Sequence, residues 1–302
     1  MSRPLPHTTG LREAFASGLP QMPGTESHLQ DALRQTLNHP GTMVRAQMVL
    51  EIATHYGLAE EPAKNLAIAI EYFHTASLIF DDLPCMDDAA KRRGAPCVHR
   101  VHGEATAILA ALGLINRAYA LAWRTIHSAP VEHRQAAGDY LEQCLGVAGV
   151  LNGQSQDLHY GTLPEAARAP HKVALGKTVS LIQLSLVLPA LLGGANKSER
   201  RLLEHLATFW GLSYQIIDDL KDMFSRPELT GKTAARDEAL NRPNAVLTAG
   251  TIPAFHRLER LLRLGDRALG RLSDRRPALG FLQQLRTRFA EELAAFQPGL
   301  PA

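Results

Sequence analysis

The sequence predicts an all-α protein, and three observations predict it. Apolar residues recur at spacings of three and four along most of the 302 residues, alternating strand patterns are scarce, and Pro, Gly and Asn clusters fall where helices would end. In order along the chain, residues 1–25 are rich in Pro and Gly and read as a flexible N-terminal arm. They lack the basic-then-apolar pattern of a secretory signal. From 26 to 302 no long polar linker divides the chain, so a single domain of ten or more helices is expected, with helical periodicity clear in "ESHLQDALRQTL", "RAQMVLEIATHYGL", "PAKNLAIAIEYFHTASLIF" and "AALGLINRAYALAWRTI". Breaks fall at "NHPGT", "HSAPVEH", "GTLPEAARAP", "GGANKSE", "SRPELTG", "NRPNA" and "SDRRPA". The stretches 105–115 and 179–194 are apolar on most faces and should lie inside.

Composition narrows the function classes. A hydrophobic fraction of 45%, a charged fraction of 21% and a formal net charge of +2 describe an ordinary globular chain and give no electrostatic case for nucleic acid. Three cysteines, Cys85, Cys97 and Cys144, have neither disulfide-framework nor zinc spacing, which points to a reducing cytoplasm. The longest apolar stretches, "ATAILAALGLI" and "SLIQLSLVLPALLGG", are too short or too interrupted to span a bilayer, so no transmembrane segment is expected.

Chemistry concentrates in two acidic clusters. In "SLIFDDLPCMDD", Pro84 cannot continue the helix of the preceding apolar run, so the helix should end near Asp82. Asp81 and Asp82 then stand at a helix C-terminus, where the macrodipole disfavours negative charge, with Asp87 and Asp88 close behind. In "SYQIIDDLKD", Asp218 and Asp222 share one helix face beside Asp219. Two such clusters, each following a buried helix, make sense together if they share divalent cations, and oxygen-only ligands suggest magnesium. Magnesium is usually shared with phosphates, and the sequence has cations to go with them: "KRRG" at 91–94 follows the first cluster, Lys221 sits inside the second, and "GKT" occurs at 176–178 and 231–233. Neither "GKT" has the strand and glycine spacing of a P-loop, which excludes that class of nucleotide hydrolase.

With these motifs in order, the chain resembles the trans-isoprenyl diphosphate synthases, and among them the bacterial geranylgeranyl diphosphate synthases. The residues that carry the resemblance are "DDLPCMD" followed by "RRG", "GQSQDL", Lys177-Thr178, "YQIIDDLKD", and "GKTAARD" with "NRPNAV". It implies an isoprenoid synthase fold, a bundle of long helices around a deep central cavity. It implies three magnesium ions held by Asp81, Asp87 and Asp218, with Asp82, Asp219 and Asp222 as further partners. Arg92, Lys177 and Lys232 would hold the allylic prenyl diphosphate, and Thr178 and Gln215 would stabilise the carbocation and the leaving group. Arg45, His74 and Arg93 would bind isopentenyl diphosphate. Family members also form homodimers through the segment matching 105–115 and "NRAYALAW".

One stretch departs from the family pattern. Where relatives read G-G-K-R-x-R-P, this chain reads "HPGTMVRA", so Thr42 stands in the place of a diphosphate-binding lysine and Met43 replaces the middle arginine. A lost charge-assisted contact weakens binding by about tenfold to over a hundredfold unless another cation compensates, Arg100 being one candidate. Elongation is the expected activity. The alternatives are a synthase-like terpene synthase that ionises a prenyl diphosphate without elongation, and a regulatory subunit of a heteromeric synthase. Ala76 and Ser77, small residues just before Asp81, resemble the pattern that leaves room for a twenty-carbon product.

Overall fold

The structure, a computed structural model, describes residues 8–20, 24–164, 168–224 and 242–287. These divide into two compact units, the first reaching to Arg134 and the second from Gln135 onward.

The first unit contains α1 (Thr8–Ser17), α2 (Ser27–Leu37), α3 (Val44–His55), α4 (Glu60–Asp81), a two-residue hairpin of β1 (Lys91–Arg92) and β2 (Ala95–Pro96), α5 (Val98–His102) and α6 (Glu104–Ser128). Its centre is α4, whose Leu66, Ile70, Tyr72, Ala76 and Ile79 are buried. Glu60 and Glu61 suit its first turn, and Asp82 caps its other end, as Pro84 predicts. Helix α6 packs along α4 through Ala107, Ala110, Ala111, Leu114, Ala118 and Ala122, small side chains that allow close approach. Its other face is not interior: Leu109, Leu112 and Trp123 are 54%, 50% and 51% exposed, with Ile108 and Tyr119 beside them. That corrects the expectation that 105–115 lies inside. Only one stripe of a helix can face α4, and the apolar residues here exceed one stripe.

Residues 8–17 also differ from a flexible arm. Leu11 and Phe15, four apart on one face of α1, are buried. The Phe15 ring lies 5.0 Å from that of Tyr72, whose hydroxyl donates to the Phe15 carbonyl at 2.7 Å. The apolar pair outweighs the prolines and glycines around it.

Helix α7 (Val131–Leu145) contains the division between the units. The second unit continues with α8 (Val150–Leu158), then α9 (Pro170–Ala174), which runs through a widened π-type turn at Leu175–Val179 into α10 (Ser180–Leu192). It ends with α11 (Lys197–Phe224), α12 (Ala245–Ala249) and α13 (Thr251–Arg275). Apart from Gln183, every residue of α10 is buried, as the apolar run 179–194 predicts. Ile216, Ile217 and Leu220 of α11 share a core with Leu258, Leu261 and Leu262 of α13. By length and hydropathy Glu104–Ser128 and Pro170–Leu192 could each cross a membrane, although the shorter stretches read in the sequence could not. In the second of them 72% of the apolar window is buried inside the protein, as in a core helix.

Candidate active site

The first acidic cluster is shaped by the way α4 ends. Orphan carbonyls of its last turn are taken by the loop that follows: Asp87 N–H donates to Asp81 O at 2.9 Å, and Ala89 N–H to Asp82 O at 3.1 Å. The loop thus folds back and sets Asp87 beside Asp81. The other two aspartates are committed to arginines. Asp82, 4% exposed, accepts from Arg92 Nε at 2.9 Å and Nη2 at 2.6 Å, and Asp88 accepts from Arg100 at 2.6 Å. Arg100, the compensating cation suggested by the sequence, is therefore engaged at Asp88.

The hairpin explains how adjacent arginines reach different partners. Arg93 and Gly94 form its two-residue turn with φ of 53° and 79°, the left-handed pair that favours tight hairpins. Arg93 pays roughly 1 kcal/mol for that conformation. In return Arg92 turns to Asp82 while Arg93 Nη1 donates to His39 O at 2.9 Å. Arg92, Arg93, Asp82, His39, Thr75 and Gln35 line a small cavity.

A buried carboxylate organises the rest of this unit's site. Glu71 of α4, 2% exposed, accepts from the N–H of Ala46 at 3.0 Å and so caps the N-terminus of α3. Burial raises its pKa, opposed by Arg45, the Ala46 N–H and Arg93. His74, one turn further along α4, is pushed well below the usual imidazole range by burial, then by Arg45, Arg93 and Arg92. Arg45 and Arg93 are thus near both Glu71 and His74. Sequence reasoning named those three and missed Glu71, whose signal was a lone carboxylate inside "LAIAIEYFHTASLIF". Cys97 is 2% exposed and its thiol is pushed up to about 12, chiefly by burial, which agrees with an inert role.

The second unit holds the remaining residues. Helix α8 and the π-type turn touch backbone to backbone: a Cβ on Gly153 would lie 2.2 Å from Lys177 N, and one on Gly176 would lie 2.7 Å from Gly153 Cα. Asp157, one turn beyond Gly153, then receives Lys177 Nζ on Oδ2 at 2.7 Å. Thr178 Oγ1 donates to Gln215 Oε1 at 2.7 Å, and Gln215 Nε2 to Asp219 Oδ1 at 2.9 Å. Asp219 Oδ2 accepts from Ala245 N–H at 2.7 Å, at the start of α12, which Asn244 caps. Asp219 is 1% exposed, so both its oxygens serve the protein's own donors. Asp218 and Asp222 lie one turn apart on α11 and are half-buried. Lys232 lies outside the described residues.

The donor set fits magnesium. It consists of carboxylates, and Asp222 Oδ2 is buried with no hydrogen-bond partner among the described residues, a costly state for an anion unless a cation joins it. Among the described residues no three acidic, His or Cys side chains already converge at ligating distance.

Comparison with known proteins decides the family. The model of the polyprenyl synthetase family matches residues 26–263. The chain belongs to the polyprenyl synthetase family. Similar curated members include a geranylgeranyl diphosphate synthase of Pantoea ananas, 34% identical over 68% of this chain and 68% of that protein. Another, from Pseudescherichia vulneris, is 36% identical over 72% and 70%. The chain spans 59% of the length of geranylgeranyl pyrophosphate synthase 3 of Arabidopsis thaliana, at 36% identity. Among solved structures of similar fold, a Helicobacter pylori geranyltransferase complexed with magnesium and isoprenyl diphosphate has a TM-score of 0.82 at 23% identity, covering 97% of this chain and all of that one. A Zymomonas mobilis FPP/GFPP synthase has a TM-score of 0.72 at 28% identity, covering 87% and 89%. The expected isoprenoid synthase fold is confirmed.

Proposed function

We propose that the chain is a magnesium-dependent trans-prenyltransferase that condenses an allylic prenyl diphosphate with isopentenyl diphosphate to give geranylgeranyl diphosphate. The observation that carries this reading is that Glu71 holds the start of α3, where Arg45 stands, while Arg93 reaches His39 of the preceding loop, so that both arginines lie near His74. An enzyme that only ionised its substrate would have no use for a second diphosphate site.

Asp81, Asp87, Asp218 and Asp222 would hold magnesium, three ions by the family's pattern, and bound magnesium would neutralise charge on the departing diphosphate. Asp82 and Asp219 act by orienting Arg92 and Gln215. Arg92 and Lys177, with Lys232, bind the allylic diphosphate. The carbon–oxygen bond breaks with its electron pair leaving on pyrophosphate, and the cation forms near Thr178 and Gln215. Thr178 donates its hydroxyl proton to Gln215, which leaves lone pairs on its oxygen for the electron-poor carbon. The double bond of isopentenyl diphosphate supplies the electrons of the new carbon–carbon bond, and a proton passes to the released pyrophosphate. His74, neutral near pH 7, donates one N–H to the second diphosphate while Arg45 and Arg93 supply charge.

Small side chains just before Asp81 support the twenty-carbon product: Ala76, and Ser77 one turn below Asp81 on the same face. Phe73 is occupied in an edge-on contact with Tyr119, ring centres 4.9 Å apart. The exposed apolar stripe on α6 supports a homodimer. A second reading, a terpene synthase, rests on Thr42, which is exposed in the lysine's place.

The test is incubation with magnesium and farnesyl diphosphate, with and without labelled isopentenyl diphosphate. Labelled geranylgeranyl diphosphate is expected. Pyrophosphate release with an unlabelled hydrocarbon or alcohol would favour the terpene synthase instead.

A further inference from the structure

The loop 38–43 that carries Thr42 is gripped by two guanidinium groups from distant parts of the chain. Arg93 Nη1 donates to His39 O at 2.9 Å, and its guanidinium lies so close to Gly41 that a Cβ there would sit 2.6 Å from Cζ. Gly41 has φ of +70°, which suits glycine and leaves its Cα face bare for the arginine. From the other partner, α1, Arg12 Nη2 donates to Gly41 O at 2.8 Å. The peptide immediately before Thr42 therefore has one arginine already assigned to the second diphosphate and another with no assigned role.

Arg12 is held there by packing. Leu11 and Phe15 are buried, Tyr72 bonds the Phe15 carbonyl, and Arg117 Nε donates to Gly18 O at 2.6 Å. Tyr72 lies on α4 between Glu71 and His74, so the anchor of α1 and the floor of the diphosphate site belong to one turn of one helix. The contact to Gly41 uses one of the five N–H donors a guanidinium carries, and Arg12 is exposed.

We propose that Arg12 binds the diphosphate of isopentenyl diphosphate and supplies the positive charge that Thr42 does not. This rests on the reading that Arg45, His74 and Arg93 form that site. The substrate-binding cation then stands on α1 rather than in the loop before α3.

The test is steady-state kinetics of the full chain and of Arg12→Gln, Arg12→Lys and Arg12→Gln with Thr42→Lys. Arg12→Gln should raise KM for isopentenyl diphosphate about tenfold to a hundredfold, with kcat and the allylic KM within about twofold. Arg12→Lys should retain most of the affinity, and Thr42→Lys should restore it in the Arg12→Gln background. An unchanged isopentenyl KM in Arg12→Gln, or equal losses for both substrates with a lowered Tm, would overturn the inference and leave Arg12 a structural tie. If the wild type ionises its allylic substrate without incorporating label, the elongation reading itself fails, and this inference with it.

Discussion

Lys177 Nζ lies 2.7 Å from Asp157 Oδ2, a pairing set by two glycines rather than by either charged residue. Gly153 and Gly176 let α8 and the π-type turn meet without side chains between them. The cation proposed to hold the allylic diphosphate is aimed by that crossing.

Gly153→Ala should therefore destabilise the protein by about 1–3 kcal/mol, because the added methyl meets backbone that cannot swing aside. It should also lower kcat at least tenfold by displacing Lys177. Gly138→Ala is the control, since a Cβ there meets nothing within 4 Å. In a helix interior that change should stabilise by about 0.5–1 kcal/mol. Urea denaturation of both variants decides, and equal stability would show that the crossing is not tight.

Asp219 and Asp222 should separate cleanly. Asp219→Ala leaves the Ala245 N–H and the Gln215 amide without an acceptor and should cost about 1–3 kcal/mol. Asp222→Ala removes a buried oxygen that has no partner among the described residues, so stability should hold or rise. That variant should instead need more magnesium for half-maximal activity. Calorimetry and a magnesium titration of turnover measure the two effects, and a large stability loss in Asp222→Ala would contradict the assignment.

His74 should make the fold sensitive to mild acid. Its folded pKa is pushed well below the ordinary 6.5, so between the two values the unfolded chain binds a proton that the folded chain refuses. Stability is then fully present above about pH 6.5 and falls as pH decreases, by up to about 1.4 kcal/mol per pH unit. Glu71 works in the opposite sense, because its raised pKa lets the folded chain take its proton first as pH falls. Comparing wild type with His74→Gln at matched pH isolates the histidine. A parallel pH dependence in the two proteins would refute its contribution.

Oligomeric state should follow the α6 stripe. If Leu109, Leu112 and Trp123 face a second copy, Leu112→Glu with Trp123→Glu should convert the dimer to a monomer by light scattering while leaving helical circular dichroism intact. A wild-type protein that is itself monomeric would remove the homodimer from the proposal.

Much of the site was legible because it is written locally. Pro84 ends α4 by steric necessity, and "DDLPCMD" announces itself without any tertiary information. The same holds for Asp218 and Asp222, which the helical repeat alone puts on one face. Glu71 and Arg12 were not legible. Each is an unremarkable residue in its own helix, and only its neighbours across space give it a task.

The sequence by itself determined the helical class, the end of α4, the two acidic clusters and the cations proposed to accompany them, since all follow from periodicity and backbone sterics within a few residues. Only the tertiary structure decided which carboxylates turn to arginines or backbone N–H groups, and which face of α6 stays outside. It also brought Arg12 to Gly41 across 29 positions of chain. Burial and hydrogen-bond pairing depend on what other helices bring to the same place, and spacing along one helix carries no record of that.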